Sequence, residues 1–240
     1  MAKRVGTCQL MGTTGPLRKS HLIPNAFMRR TGPEPFLESD GKSRTKKRQT
    51  GWYDECILGI AGENLIASYD DEAARCFIDG GFTYRRRRLP SDPNLLIDDF
   101  VASESYMVHN ADVRKIRLFA MSLLWRAAVS TLMPFAHIRV SASHMRDIGG
   151  RLRTGQPGHY LDYPTWFGVF NGTTELPKIV PVQSTTIPFI RFFLDGVVCY
   201  ISPRRRVRNI EKFSFPIMGE AHDRFSIHCF ESAGSWHDVS

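Results

Sequence analysis

One histidine and three carboxylates are the residues of this chain best suited to chemistry. His21 sits in the run Leu17-Arg18-Lys19-Ser20-His21-Leu22-Ile23-Pro24, between a hydroxyl and an apolar pair that ends on proline. Glu63, Asp70 and Asp71 follow downstream, with Glu63 and Asp70 seven apart, two turns along one helical face. An imidazole can act as a general base, and carboxylates are hard ligands of the kind Mg2+ or Mn2+ takes. Each group also has a plainer reading. A lone histidine before an apolar pair is commonly a satisfied strand residue, and paired acids are commonly a solvated helix face. His109, His137, His144, His159, His222, His228 and His237 show no His-x-x-x-His spacing. Nothing matches a phosphate-binding loop, a nucleophile elbow or a dinucleotide fingerprint.

The elements that would carry these residues follow from periodicity. Leu17 to Ile23 alternates loosely, as a hairpin strand does, and Pro24 removes a backbone donor and ends it. Residues 31–50 are polar and basic and read as a loop. Leu65, Ile66, Tyr69, Ala73, Ala74 and Phe77 recur at helical spacing, so a helix is expected from Gly62 or Glu63 to the Gly80-Gly81 stop. The proline-containing stretch 88–103 reads as a domain boundary. A long helix is expected over 104–133, with Val113, Ile116, Ala120, Leu123, Leu124, Ala127 and Thr131 on one face. Arg126 inside it is either a snorkelling edge residue or a paired buried charge. A second helix is expected over 141–153. Residues 164–231 read as strands. Phe189 to Leu194, Asp195-Gly196, then Val197 to Ile201 predicts a type I′ hairpin. Phe213 to Ile217 and Arg224 to Phe230 would extend an antiparallel β-meander.

A chain of 240 residues can hold one large domain or two small ones. Its net charge of +8 favours a polyanionic partner, although solubility alone accounts for such a charge in many proteins. The five cysteines (Cys8, Cys56, Cys76, Cys199 and Cys229) form no Cys-x-x-Cys pair. With no apolar leader, they point to free thiols and a cytoplasmic setting. No apolar run reaches the length of a membrane span.

Two segments together carry a resemblance. The first is Ser20-His21-Leu22-Ile23-Pro24, preceded by Cys8-Gln9-Leu10-Met11. The second is Tyr53-Asp54-Glu55-Cys56-Ile57-Leu58-Gly59-Ile60-Ala61-Gly62-Glu63, running into Tyr69-Asp70-Asp71. Over residues 5–80 the chain resembles the bacterial HNH-like (ββα-metal, treble-clef) endonucleases. The resemblance implies an α+β protein with an N-terminal ββα-metal-like unit over 1–88. Central long helices and the C-terminal antiparallel sheet would fill 89–240, as a possible partner-binding or sensing domain. It implies His21 as general base, Glu63 orienting it or the metal, and Ser20, Asp70 and Asp71 as ligands of one Mg2+ or Mn2+. DNA, more than RNA, would be the nucleic acid bound. Lys46, Lys47 and Arg48, with Arg85, Arg86, Arg87 and Arg88, are plausible phosphate contacts.

The family's knuckle normally holds zinc on four cysteines. Here Cys8 survives while Met11, Gly59 and Gly62 take the other places, so no structural zinc is expected. A unit this small, without its staple, must lean on the rest of the chain. Three readings compete. One is a metal-dependent DNA endonuclease, which the resemblance would place among effectors of anti-phage defence. The second is a catalytically inactive HNH-like module that binds nucleic acid or protein. The third is a structural protein whose charge is incidental.

Overall fold

The computed structural model describes residues 4–28, 36–39, 46–48, 51–84, 94, 97–100, 105–170, 178–183, 187–210, 217–219 and 223–230. The expected contacts Arg85, Arg86, Arg87 and Arg88 lie outside these, and of Lys46, Lys47 and Arg48 only the backbone is described.

The N-terminal third is built from very short elements. Strands β1 (Val5–Thr7) and β2 (Thr14–Pro16) form an antiparallel hairpin. Its turn is closed by the Cys8 amide donating to the Thr13 carbonyl at 2.8 Å and by Gly12, whose φ of 69° suits glycine. Strand β3 is only Ser20–His21, shorter than the expected Leu17 to Ile23 and ending before Pro24; the chain then leads into the single turn α1 (Asn25–Met28). Strands β4 (Phe36–Ser39) and β5 (Lys46–Arg48) pair within the stretch expected to be loop. β3 pairs with β6 (Tyr53–Asp54), placing Ser20 opposite Asp54 and His21 opposite Tyr53. Helix α2 (Ile60–Ala74) begins at Gly59 and continues through a π-helical turn, Arg75–Asp79, before the two glycines end it.

Residues 105–109 depart from the expected helix. They form β8 (Ser105–His109), beside β7 (Ile97–Phe100), which itself lies inside the expected boundary stretch. Asn110 at φ 57° breaks the strand, and the Asp112 side chain caps α3 (Val113–Val129) by accepting from the Lys115 amide. A 3-10 turn (Met133–Phe135) follows. Helix α4 (Ala142–Thr154) is capped by Ser141 and closed by Gly155 in the left-handed region.

β9 (Thr165–Phe170), β10 (Lys178–Ile179), β11 (Val182–Gln183), β12 (Ile190–Leu194), β13 (Val197–Ile201) and β14 (Arg224–Phe230) complete the chain. β10 adds to β4 in a small three-stranded sheet; the main sheet runs β11-β12-β13-β9-β14-β8-β7. The class is α+β, as expected. Every ladder of the main sheet is antiparallel except β14–β9, which is parallel. Residues 213–216 of the expected Phe213 to Ile217 strand lie outside the described residues.

Helix α3 is buried nearly all round, from Ile116 to Ala127, the signature of a helix inside the core. It packs on α2, α4 and β13. Phe27 from the N-terminal third meets Phe119 at 5.8 Å between ring centroids, and Phe77 meets Phe167 at 4.7 Å. The two halves of the chain therefore share one hydrophobic core.

Candidate functional site

His21 is half-buried at the end of β3, its ring edge-on to Tyr53 at 6.3 Å. The Lys19 ammonium lies 3.5 Å above the same tyrosine ring, a cation–π contact. Ser20 alternates inward and is fully buried; its hydroxyl donates to the Arg18 carbonyl at 3.4 Å.

On α2, Glu63 is half-buried, Asp71 is exposed, and Asp70 turns toward α3. There it meets Arg126, which is 3% exposed. Arg126 donates through Nη2 to Asp70 Oδ1 at 2.8 Å and through Nη1 to Asp70 Oδ2 at 3.0 Å. Nη1 also donates to the His21 carbonyl at 3.0 Å, Nη2 to the Ser122 hydroxyl at 3.0 Å, and Nε to the Ser122 carbonyl at 3.3 Å. A guanidinium has five N–H groups, and all five are engaged. Arg126 is thus a paired buried charge rather than a snorkelling edge residue. Burial pushes the Asp70 carboxyl up from its ordinary range, and the Glu63 and Asp71 charges push the same way against Arg126.

The geometry brings the His21 backbone and the Asp70 side chain together through Arg126. It does not gather the expected metal ligands. Both Asp70 oxygens are held by the guanidinium, the Ser20 hydroxyl serves the Arg18 carbonyl, and Asp71 is exposed. Among the described residues no group of three His, Cys, Asp or Glu side chains is placed to hold a metal ion. A divalent ion on Asp70 would compete with the guanidinium that holds both carboxylate oxygens.

The four knuckle positions do converge. The Met11 amide donates to Cys8 Sγ at 3.4 Å. A Cβ built on Gly59 would stand 3.6 Å from Cys8 Cβ. One built on Gly62 would stand 3.0 Å from Cys8 Sγ and 3.7 Å from Met11 Cγ. Cys8 is 1% exposed, so the place where these positions meet is shielded from solvent.

Asp54 is the site residue that sequence reasoning passed over. It lies within the second segment of the resemblance, yet its role depends on residues far along the chain. The buried carboxylate accepts from the Cys56 amide at 2.8 Å, the Thr131 amide at 2.7 Å, the Thr131 hydroxyl at 2.9 Å and the Ser130 hydroxyl at 3.2 Å. Burial alone would raise its pKa, but these hydrogen bonds outweigh burial and hold it below the ordinary carboxylate range. It fastens β6 to the end of α3. The Asp54–Cys56 contact is local to the chain, whereas the partners at 130–131 lie more than seventy positions away.

No protein-family model, curated protein or solved structure matches this chain. Among the described residues no helix is long and apolar enough to cross a membrane.

Proposed function

We propose that the chain is a catalytically inactive HNH-like module that binds nucleic acid, duplex DNA before RNA. The observation that carries this reading is the Arg126–Asp70 pair: a buried guanidinium stands on the helix carboxylate that the family resemblance gives to the metal. A fixed organic cation supplies charge there, but it offers no open coordination position to a phosphodiester and generates no metal-bound hydroxide. The convergence of Cys8, Met11, Gly59 and Gly62 supports the scaffold half of the reading. The exposed Lys19, with half-buried Arg18 and His21 and the rim residue Tyr53, supplies cations and an aromatic face on the outer side of the β3–β6 pair. The net charge of +8 supports a polyanionic partner.

The second reading is the Mg2+- or Mn2+-dependent endonuclease. Glu63 favours it, since that carboxylate is half-open and near enough to Asp70 to raise its pKa.

One experiment separates the two. Plasmid and linear duplex are incubated with Mg2+, then Mn2+, using wild type and His21→Ala, while duplex binding is followed across a salt series. The proposal expects salt-sensitive binding by the wild type and no cleavage by either protein. Metal-dependent cleavage that disappears in His21→Ala overturns it and restores the endonuclease. Absence of duplex binding overturns the nucleic-acid assignment.

A further inference from the structure

The loop between α4 and β9 carries a second charged centre, at a distance from His21. Arg117, 7% exposed on α3, donates to the Gly158 carbonyl at 2.8 Å, the His159 carbonyl at 2.6 Å and the Asp162 carbonyl at 3.4 Å. Arg151 from α4 donates to Asp162 Oδ2 at 2.8 Å and to Asp147 at 3.1 Å. Arg205, just past β13, donates to both Asp162 oxygens, and Arg206 lies 3.8 Å from Asp162 Oδ1. Four guanidinium groups therefore gather round two carboxylates. Exposed Arg204 and Arg208 add to the excess, and among the described residues no carboxylate pairs with either. The excess is felt inside the cluster: burial, then repulsion from Arg151, lowers Arg117 to about 10.

Beside this centre opens a cavity of about 240 Å3 lined by His159, Leu161, Arg206, Val207 and Ile210. Its lining combines three aliphatic side chains with a guanidinium and an imidazole. Arg206 is 79% exposed and only loosely tied to Asp162, so it is available to a ligand. The loop that supplies His159 and Leu161 is fixed by Arg117 and Arg151, so little ordering is needed on binding. A flat apolar body with an anionic group attached matches this lining. The volume is that of one base-sized ligand, below the range of drug-sized sites.

We infer that this cavity binds a nucleoside phosphate, the phosphate on Arg206 beside His159 and the base against Leu161, Val207 and Ile210. The nucleotide can come free or as one unstacked unit of a single strand, whose flanking phosphates Arg204 and Arg208 would meet. The site stands whether or not the reading of His21 is right. Arg117 and Arg126 are nine residues apart on α3, about 14 Å along the helix, and among the described residues no hydrogen bond or ion pair joins the two centres.

The test is an NMR shift titration of the full chain with thymidine monophosphate, inorganic phosphate and a short oligothymidylate. Thymidine monophosphate should bind saturably and at least about tenfold more tightly than phosphate. Arg206→Ala, safe for folding because the side chain is exposed, should weaken it about tenfold. Ile210→Asp should do the same, while Arg224→Ala, an exposed arginine on β14, should leave it unchanged. An oligothymidylate that binds more tightly than the monophosphate identifies a strand as the source; equal affinity identifies a free nucleotide. The inference is overturned by no saturable binding, by phosphate binding as well as the nucleotide, or by binding that survives both Arg206→Ala and Ile210→Asp.

Discussion

The β3–β6–α2 region and the seven-stranded sheet are built on different physics. The sheet holds itself. Its strands are five to seven residues long in β8, β9, β12, β13 and β14, and β12 and β13 are buried along almost their whole length. On its outer face Trp166 stacks on Tyr200 at 3.6 Å, with Phe189 and Phe230 beside them. The N-terminal region has paired strands of two residues, too short to stand alone. It shares the apolar core with the helices and is tied to them by polar contacts as well: Arg126 to Asp70 and the His21 carbonyl, Asp54 to Ser130 and Thr131, Tyr69 to the Leu152 carbonyl, and Arg153 to the Leu10 carbonyl. Around these very short elements, buried hydrogen-bonded charges on a neighbouring helix add to apolar packing in fixing the region.

The sharpest way to break this contrast is Arg126→Ala. It leaves Asp70 charged and uncompensated and the His21 carbonyl without its donor, a loss of about 3–5 kcal/mol. Hydrogen exchange should show protection lost in β3, β6 and α2 while β12 and β13 keep theirs. Equal loss in both regions would mean that they do not differ in how they are held. Replacing both partners, Arg126→Met with Asp70→Leu, should recover much of the midpoint lost by the single change.

The next largest effect comes from installing a metal staple. Met11→Cys, Gly59→Cys and Gly62→Cys together, with Cys8, rebuild four thiolates on positions that already converge. Prepared under reductant, the triple variant should bind one zinc ion and gain about 2.7 kcal/mol when free zinc is a hundredfold above its dissociation constant. Without zinc it should be less stable than the parent, because a Cβ at 62 would meet Leu58 Cδ2 at 2.8 Å. A variant that retains no zinc would remove the knuckle geometry from the case for an HNH-like scaffold.

Asp54 gives a smaller effect with a defined pH dependence. Asp54→Ala should cost about 2 kcal/mol, the scale of hydrogen bonds to a charged group. Its folded pKa is lowered, because the hydrogen bonds outweigh burial. Its contribution is therefore complete above the unfolded value of about 3.9 and is lost as pH falls through the lower folded value. Asp162 acts in the same direction, with Arg205 and Arg151 outweighing burial. Thermal midpoints from neutral pH down to about pH 2 should fall more gently in Asp54→Asn than in the parent. An unchanged acid limb would assign acid sensitivity to other carboxylates.

Much of the fold could be read from local signals, and the site could not. Helix α2 follows from apolar spacing and the stop at Gly80-Gly81, and the end of α4 from the turn that begins at Gly155. The β12–β13 hairpin follows from Asp195-Gly196. The strand β8 was hidden because Ser105 to His109 runs into the helical pattern of α3 with only Asn110, Ala111 and Asp112 between, and a positive φ at asparagine leaves little trace in sequence. The parallel β14–β9 ladder was hidden because a long connection carries no register. At the site, His21, Glu63 and Asp70 were visible as residue types. What was not visible is that Arg126, a turn before the end of α3, satisfies Asp70 and the His21 backbone together. Pairing across fifty-six positions leaves no periodic signature.

The smallest effect lies at the sheet's own turn. Asp195 and Gly196 have φ of 56° and 100°, and Leu194 pairs with Val197 across them, the geometry of a two-residue hairpin loop. An L side chain at Gly196 is strained by that φ, and its Cβ would stand 3.1 Å from the Tyr84 ring. The Tyr84 amide donates to the Asp195 carbonyl at 2.8 Å, so the ring cannot simply retreat. Gly196→Ala should therefore cost about 1 kcal/mol and lower the midpoint by about 2–4 °C. Because β12 and β13 are held along five paired residues and by burial on both faces, the loss should stay local, with exchange faster only near the turn. If Gly196→Ala instead loosened β3 and β6, Tyr84 would be acting as a further tie between the two regions, and the self-sufficiency of the sheet would have to be given up.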